Sequence, residues 1–198
     1  MLKKLIFIGC TILIASCGYF EKITYYEPEQ RSNVFVSKGA RGPIEKTKFS
    51  INQDIDMHLI IFHNSNAPYI RCWWTLPKKS EMRFLGSEII LKTSDSTIAN
   101  KIPIGKIQAN YINNGIGSLK YFEAKDLLIG ETYLLKSAFG KEVRSNRPFE
   151  IKAPIKNDLP IKFDLKLPPF ALNGEKRELP MVSYTKKEGA FYQIVQVQ

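Results

Sequence analysis

The chain has 198 residues, of which 24% are charged, and its formal net charge is +10 at pH 7. This length suits one domain of ordinary size, or one domain with a small appendage, and argues against a large multidomain protein. The basic residues recur along the sequence without a dense cluster, so the charge indicates a solvated surface and gives no reason to expect a nucleic-acid partner.

The N-terminus has the three parts of a secretory signal. A cationic start at Lys3 and Lys4 precedes an apolar run, Leu5–Ala15, and small residues lead from there to Cys17. The apolar run has eleven residues, whereas a helix needs about 20 to cross a bilayer. The sequence therefore predicts a signal peptide over residues 1–16 and no permanent membrane-spanning helix at this end.

The residues before Cys17 resemble a known signature. Ile14-Ala15-Ser16-Cys17 is similar to the lipobox of bacterial lipoproteins, and the resemblance implies that Cys17 is acylated and becomes the first residue after cleavage. Two or three acyl chains would hold the protein at the membrane essentially permanently. Gly18, where the family's retention signal has Asp, favours the outer membrane in a host that has one. The alternative is an ordinary cleaved signal with an incidental cysteine.

The mature chain would carry only two cysteines, Cys17 and Cys72. With Cys17 committed to lipid, no intramolecular disulfide is available, so the hydrophobic core must supply the stability. Cys72 is predicted to be a small buried hydrophobe in a strand, and a reactive thiol is the alternative.

Residues 17–48 are predicted to be a lipidated tether, with one apolar patch at Val34–Val36 that could pair as an edge strand. From Phe49 onward, short runs rich in β-branched and aromatic residues alternate with turn residues, and no sustained helical period occurs. Seven such runs predict an all-β sandwich: Met57–His63, Tyr69–Leu76, Ser87–Lys92, Lys106–Ile112, Gly117–Phe122, Thr132–Phe139 and Val143–Ile151.

One stretch sharpens this prediction. Leu127–Leu135 is similar to the corner before the penultimate strand of fibronectin type III and other immunoglobulin-like domains, and it makes Tyr133 a tyrosine-corner candidate. The resemblance implies an immunoglobulin-like β-sandwich over residues 49–153. It implies a fold and no activity.

The remaining residues, 154–198, are predicted to form a β-hairpin extension packed on the sandwich. Ile161–Leu167 alternates apolar and charged residues, Asn173-Gly174 is a turn signal, and the last two strands are expected to form a hairpin across Lys186–Gly189. This segment is too short to bury a core of its own.

Signatures of catalysis and metal binding are weak. The chain has two histidines, His58 and His63, and no zinc motif. Asp54, Asp56 and His58 share strand parity and could face a divalent ion, but a solvated strand entrance is the preferred interpretation. Ser183-Tyr184-Thr185-Lys186 matches the Ser-x-x-Lys motif of penicillin-binding enzymes, but roughly one such match is expected by chance in this chain. The glycine-rich segment Asn113–Ser118 is better explained as a hairpin turn than as a phosphate-binding loop. We therefore expect no catalytic residue, no metal and no small-molecule cofactor.

A binding surface is the remaining possibility, and the candidate residues are Trp73, Trp74, Tyr25 and Tyr26. Strand alternation sends one tryptophan to each face of the sheet, so one should be core and the other partly exposed unless the C-terminal segment covers it.

Two functions are compatible with these features. The leading hypothesis is a non-enzymatic, outer-membrane lipoprotein that binds an envelope protein partner as an interaction or assembly module. The alternative is an envelope enzyme or carbohydrate-binding protein that acts on an acidic glycan, as the positive charge and the aromatic residues suggest.

Overall fold

The computed structural model describes residues 18–29, 34–39, 42–62, 68–93, 100–113, 116–136, 142–146, 148–156 and 158–194. The regular elements in these ranges are all β-strands, and all of their pairings are antiparallel. The prediction of an all-β fold is therefore confirmed.

The strands, numbered in chain order, have the following bounds: β1 Gly18–Pro28, β2 Val34–Gly39, β3 Gly42–Ser50, β4 Asp56–Phe62, β5 Tyr69–Thr75, β6 Glu81–Phe84, β7 Glu88–Lys92, β8 Asn100–Pro103, β9 Ile107–Asn113, β10 Ile116–Phe122, β11 Leu128–Ile129, β12 Thr132–Lys136, β13 Glu142–Asn146, β14 Pro148–Pro154, β15 Lys162–Lys166, β16 Phe170–Leu172, β17 Glu175–Arg177 and β18 Val182–Ile194.

The larger sheet, sheet A, has seven strands in the order β10-β9-β14-β5-β4-β3-β2. Its central strand β5 alternates strictly, with Ile70, Cys72 and Trp74 buried and the residues between them partly exposed. This period of two places one face of sheet A on the core and leaves the other toward solvent.

The second sheet, sheet B, has five strands in the order β1-β18-β15-β7-β8. Strand β15 lies between β18 and β7, and it buries Phe163 and Leu165 on the core side. Leu167 is buried as well, but Ile161 precedes the strand and is 74% exposed. Ile161 therefore does not join the predicted apolar face of this segment, because it lies before the strand begins.

The two ends of the described chain meet in sheet B. Where a tether was expected over residues 17–48, the structure has strands β1, β2 and β3, and β1 pairs with β18 through eleven register pairs. The predicted hairpin across Lys186–Gly189 is wrong, since β18 runs through these residues as one strand of thirteen. The physical reason is that β1 pairs with β18 along these residues, so β18 does not need to fold back on itself to find a neighbouring strand.

Sheets A and B pack face to face around one core, as in a β-sandwich. In the core, the Trp74 ring of sheet A lies 5.9 Å from the ring of Phe149 on the same sheet and 5.6 Å from that of Phe84, on β6 of a further sheet with the order β11-β6-β16-β17. On the sheet B side, Phe163 stacks on Tyr184 at 5.6 Å. The finer assignment to the immunoglobulin-like class stays a prediction.

A predicted hairpin turn is confirmed. Asn173 and Gly174 have φ values of 51° and 84° and connect β16 to β17 as the two residues of a tight turn, which is the conformation that an Asn-Gly hairpin requires. The pairing Asn113↔Ile116 makes β9 and β10 antiparallel neighbours, and residues 114 and 115 between them lie outside the described ranges. The tyrosine-corner prediction for Tyr133 stays a prediction, because the side chain of this residue is not among those that the structure describes.

A polar contact between two side chains bridges the core from sheet A to sheet B. The hydroxyl oxygens of Thr47, on β3, and Tyr184, on β18, are 2.7 Å apart. Both side chains are buried, with 0% and 1% exposure, and burial raises the pKa of the Tyr184 hydroxyl far above its usual range. Each hydroxyl therefore depends on the other for its hydrogen bond.

Removing one member of this pair should cost more than removing both. Tyr184→Phe should lower the free energy of unfolding by about 1–3 kcal/mol, because it leaves the buried Thr47 hydroxyl without that partner. The double variant Thr47→Val, Tyr184→Phe should recover part of this loss. Denaturant unfolding of the two single variants and the double variant measures the coupling, and strictly additive losses would contradict the proposed link.

Candidate binding face

A row of side chains crosses the solvent-facing side of sheet A. The pairings Lys48↔His58, His58↔Trp73, Trp73↔Glu150, Glu150↔Gln108 and Gln108↔Tyr121 continue from one strand to the next. Because directly paired residues project to the same side of a sheet, six strands contribute to one surface. We call this surface the Trp73 face.

Trp73 occupies the middle of this face and is surrounded by three nitrogen-bearing side chains. The His58 ring stacks on it with a centroid distance of 5.2 Å and an interplanar angle of 20°. The Arg71 guanidinium carbon lies 5.1 Å from the ring centroid and the Lys46 ammonium nitrogen 5.6 Å from it. These are cation–π distances, so the ring is held in place while it stays partly exposed.

Glu150 fixes the position of Arg71. Its carboxylate accepts a hydrogen bond from Arg71 Nη2 at 2.8 Å and pairs with Lys152 Nζ at 3.1 Å. Burial by itself would raise the pKa of Glu150, but the hydrogen bonds and charges of Arg71 and Lys152 outweigh it and the pKa is lowered. Glu150 is thus ionised at neutral pH, and a single carboxylate is shared by two bases.

His58 behaves as a neutral ring at pH 7. Burial is the main cause that lowers its pKa, the positive charges of Lys46 and Lys48 lower it further, and Asp56 opposes the shift. The Nδ1 atom is shielded and has no hydrogen-bond partner in the described part of the structure. The imidazole therefore contributes its aromatic surface to the stack more than a charge.

Asp56 forms an ion pair with Lys48. Its carboxylate is 2.7 Å from Lys48 Nζ, and although burial would raise its pKa, this bond and charge keep the pKa below its usual value. Asp54 lies in the bend before β4. Among the described residues, no group of three or more His, Cys, Asp or Glu side chains could hold a metal ion.

The four aromatic residues suggested by the sequence fall into different environments. Trp74 and Tyr26 are 1% and 2% exposed and belong to the core. The Tyr26 hydroxyl donates a hydrogen bond to the Leu159 carbonyl oxygen at 3.1 Å, and burial raises its pKa to about 12. Tyr25 is partly exposed on β1 of sheet B, so only Trp73 lies on the face of sheet A. The expected division of the two tryptophans between core and surface is confirmed.

Sequence reasoning missed the partners of Trp73. Lys46, Arg71 and Glu150 come from three different strands, and their proximity to Trp73 depends on strand order and register. Tyr121 is 55% exposed at the end of the row. The only local signal was the period of two, which places Arg71 and Trp73 on the same side of β5.

Two side chains that the sequence singled out, Cys72 and Ser183, are buried. Cys72 is fully buried, and burial raises the pKa of its thiol far above the usual range, so it is an inert core residue. The Ser183 hydroxyl is buried and donates a hydrogen bond to the Asp164 carboxylate at 2.5 Å. Two pockets of about 280 and 230 Å³ lie away from Trp73, one beside Phe170 and one beside Ile155.

Comparison of the chain with protein-family models, with curated proteins and with solved structures finds no match. In the part of the chain that the structure describes, no helix has the length and apolar character needed to cross a membrane. Cys17 and the residues before it lie outside the described ranges, so the lipidation site stays a prediction.

The pKa of His58 tests the electrostatics of the Trp73 face. It should lie below 6.5, the ordinary value, and rise in Lys46→Met because a nearby positive charge is removed. Since the folded-state pKa is lowered, the unfolded chain binds the proton more readily. Stability should therefore increase as the pH rises from the folded-state pKa to about 6.5 and be constant above that value.

NMR titration of the two histidine rings, with urea unfolding at several pH values, measures both effects. Lys101→Met, which removes a base from β8 of sheet B, is the matched control and should leave the His58 titration unchanged. A His58 pKa above 6.5 in the wild-type protein would contradict the described environment.

Proposed function

We propose that the protein is a lipid-anchored envelope lipoprotein that acts as a non-enzymatic interaction module, and that it binds its protein partner through the Trp73 face. The anchor on Cys17 follows from the lipobox resemblance, which also favours the outer membrane. The observation that carries the binding role is the Trp73 ring, held by His58 and Arg71 at the centre of an open seven-stranded sheet.

The composition of the face suits a protein contact. Trp, Tyr and Arg are the residues most enriched at the energetic centres of interfaces, where each is surrounded by contacts that exclude water. Here Trp73 and Arg71 are partly buried and already ordered by Glu150 and His58. Binding would therefore cost little side-chain conformational entropy at these residues, since preorganised side chains have already lost their rotamer freedom.

The charge of the face favours an acidic partner. Trp73 has four positively charged side chains around it: Lys46, Lys48, Arg71 and Lys152. Two acidic side chains, Asp56 and Glu150, balance part of this charge. With His58 neutral, the local excess is positive. Complementary charge speeds encounter and excludes partners of the same sign more than it adds affinity.

The shape of the face favours a macromolecule over a small ligand. Small-molecule sites are concave and enclose most of the ligand, whereas the row from Lys48 to Tyr121 runs across six strands of one sheet. Adjacent strands are about 4.8 Å apart, so the row spans roughly 24 Å. That is the width of an ordinary protein interface.

An acidic glycan is the second candidate. The partly exposed Trp73 ring beside Lys46 and Arg71 could contact a sugar ring and its carboxylate at the same time. This possibility uses the same residues, so the identity of the retained molecule distinguishes the two functions.

Truncation of Trp73 should release the partner. In the lipidated protein, Trp73→Ala should weaken binding by about 2 kcal/mol or more, which is roughly thirtyfold, as for other interface anchors. The measurement is cross-linking in the native membrane followed by copurification. Ile161→Ala removes a side chain that is 74% exposed just before β15, away from the Trp73 face, and is the matched control.

The proposal expects a stoichiometric envelope protein with the wild-type protein and with Ile161→Ala, and its loss with Trp73→Ala. Lys46→Glu, which reverses a charge without removing core volume, should give the same loss. Equal recovery from all four proteins would contradict the assignment of this face. Retention of an acidic glycan without a protein partner would favour the second candidate.

A further inference from the structure

One aliphatic residue on the solvent side of sheet A is almost fully buried. Strand β4 directs Leu59 and Ile61 toward the core. Ile60 has the opposite parity, the same as that of His58 on the Trp73 face, and yet only 9% of it is exposed. An aliphatic side chain with so little exposure on the outer side of a sheet marks a local apolar patch.

Two pairs of stacked rings lie on either side of Ile60. His58 stacks on Trp73, and Phe62 stacks on Tyr69 with a centroid distance of 4.8 Å and an interplanar angle of 18°. All four rings are partly exposed. His58 and Phe62 are four residues apart on β4, which corresponds to about 14 Å at roughly 3.4 Å per residue. Ile60 is midway between them and projects to the same side of the sheet.

Positively charged side chains flank Ile60 on the two neighbouring strands. Arg71, on β5, is its register partner. Lys46, on β3, lies beside it on the next step of the register that pairs Thr47 with Leu59. We call Ile60, the two ring pairs and these two bases the Ile60 patch.

The positive charge of the Ile60 patch is only partly compensated. The Glu150 carboxylate lies 2.8 Å from Arg71 Nη2 and 3.1 Å from Lys152 Nζ, so two bases share it. Lys46 lies over the Trp73 ring and forms no ion pair with a carboxylate among the described residues. A cation beside apolar surface favours a ligand that brings a carboxylate and an apolar group to the same place.

We propose that the Ile60 patch receives one short segment of the protein partner. An apolar side chain of this segment lies on Ile60 between the two ring pairs, and a carboxylate near it pairs with Lys46. This inference rests on the proposed function, because it names the chemistry of the partner that the Trp73 face binds. The occupant is an acidic protein segment, since an acidic glycan offers the carboxylate but no aliphatic side chain for Ile60.

Short peptides of defined sequence can test this chemistry. An extended segment directs every second side chain to the same side, about 7 Å apart, so Leu-Gly-Glu presents an apolar side chain and a carboxylate together. The probes are acetyl-Leu-Gly-Glu-amide, the same peptide with Gln in place of Glu, and the same peptide with Ala in place of Leu. The mature lipidated protein, in phosphatidylcholine nanodiscs, carries isotope labels in its isoleucine methyl groups and tryptophan indoles. Ile60→Val and Trp73→Phe assign the two NMR signals.

The Leu-Gly-Glu peptide should shift the Ile60 methyl and Trp73 indole signals together. The Gln peptide should bind about fivefold more weakly, which is the size of one exposed ion pair. The Ala peptide should bind about tenfold more weakly, because it loses apolar contact. Lys46→Met, which keeps the aliphatic stem, should bind the Glu and Gln peptides equally. Lys101→Met, on β8 of sheet B, is the matched control and should keep the preference for Glu.

Four outcomes would overturn the inference. The first is the absence of a shift at Ile60 with the Leu-Gly-Glu peptide, and the second is equal affinity of the wild-type protein for the Glu and Gln peptides. The third is an Ile60 signal that changes with protein concentration before peptide is added, which would mean that a second copy covers the patch. The fourth is a change when phosphatidylglycerol replaces part of the phosphatidylcholine, which would mean that an anionic membrane surface covers it.

Copurification from the native membrane separates this inference from the proposed function. Tyr69→Ala should release the partner as Trp73→Ala does. Leu127→Ala removes a side chain that is 46% exposed just before β11, outside sheet A, and should retain the partner. Denaturant unfolding checks that each variant is folded. Loss with Trp73→Ala but full recovery with Tyr69→Ala would overturn the Ile60 patch and leave the proposed function standing. Full recovery with both variants would overturn the proposed function and, with it, this inference.

Discussion

The position of strand β18 is the constraint on which the rest of the fold depends. One edge of β18 pairs with β1, at the start of the described chain, and the other pairs with β15. Sheet B can therefore form only when residues from both ends of the sequence have met. The entropic cost of closing a loop of this length comes before the non-local contacts of sheet B are gained, so we expect sheet B to complete late in folding.

The same alternation that builds the core also builds the candidate binding face. Strand β5 directs Cys72 and Trp74 inward and Arg71 and Trp73 outward. The core fixes β5, and β5 in turn fixes Trp73 between His58 on β4 and Glu150 on β14. A binding surface of this kind has the rigidity of the sheet, which a loop would not give it.

Much of the architecture could be predicted from the sequence, because strands and tight turns leave local signals. The runs around Met57, Tyr69 and Ile107 and the Asn173-Gly174 turn are examples. The hairpin expected at Lys186–Gly189 failed for a reason that no local pattern records. A strand with an exposed edge can pair with any compatible segment, and here the segment comes from residues 18–28.

The candidate site was predictable only in part. Period-two alternation was enough to divide Trp73 from Trp74, but not to tell which of them faces the core. The companions of Trp73 are set by strand order, since Glu150 is 77 residues away in sequence and its β14 pairs directly with β5. Within the predicted tether, Gly39 ends β2 and Gly42 begins β3, so these two glycines lie at the paired ends of two strands.

Native-state hydrogen exchange tests the role of β18 most directly. The account predicts that backbone amides of Val182–Thr185 and of β15 exchange only through global unfolding, with the same protection as the amides of Ile70–Trp74 in β5. Amides of Phe191–Ile194, which pair with β1 alone among the described strands, should exchange faster. Exchange in Val182–Thr185 that is orders of magnitude faster than in β5 would show that the sandwich is complete without its C-terminal strand, and would contradict the account.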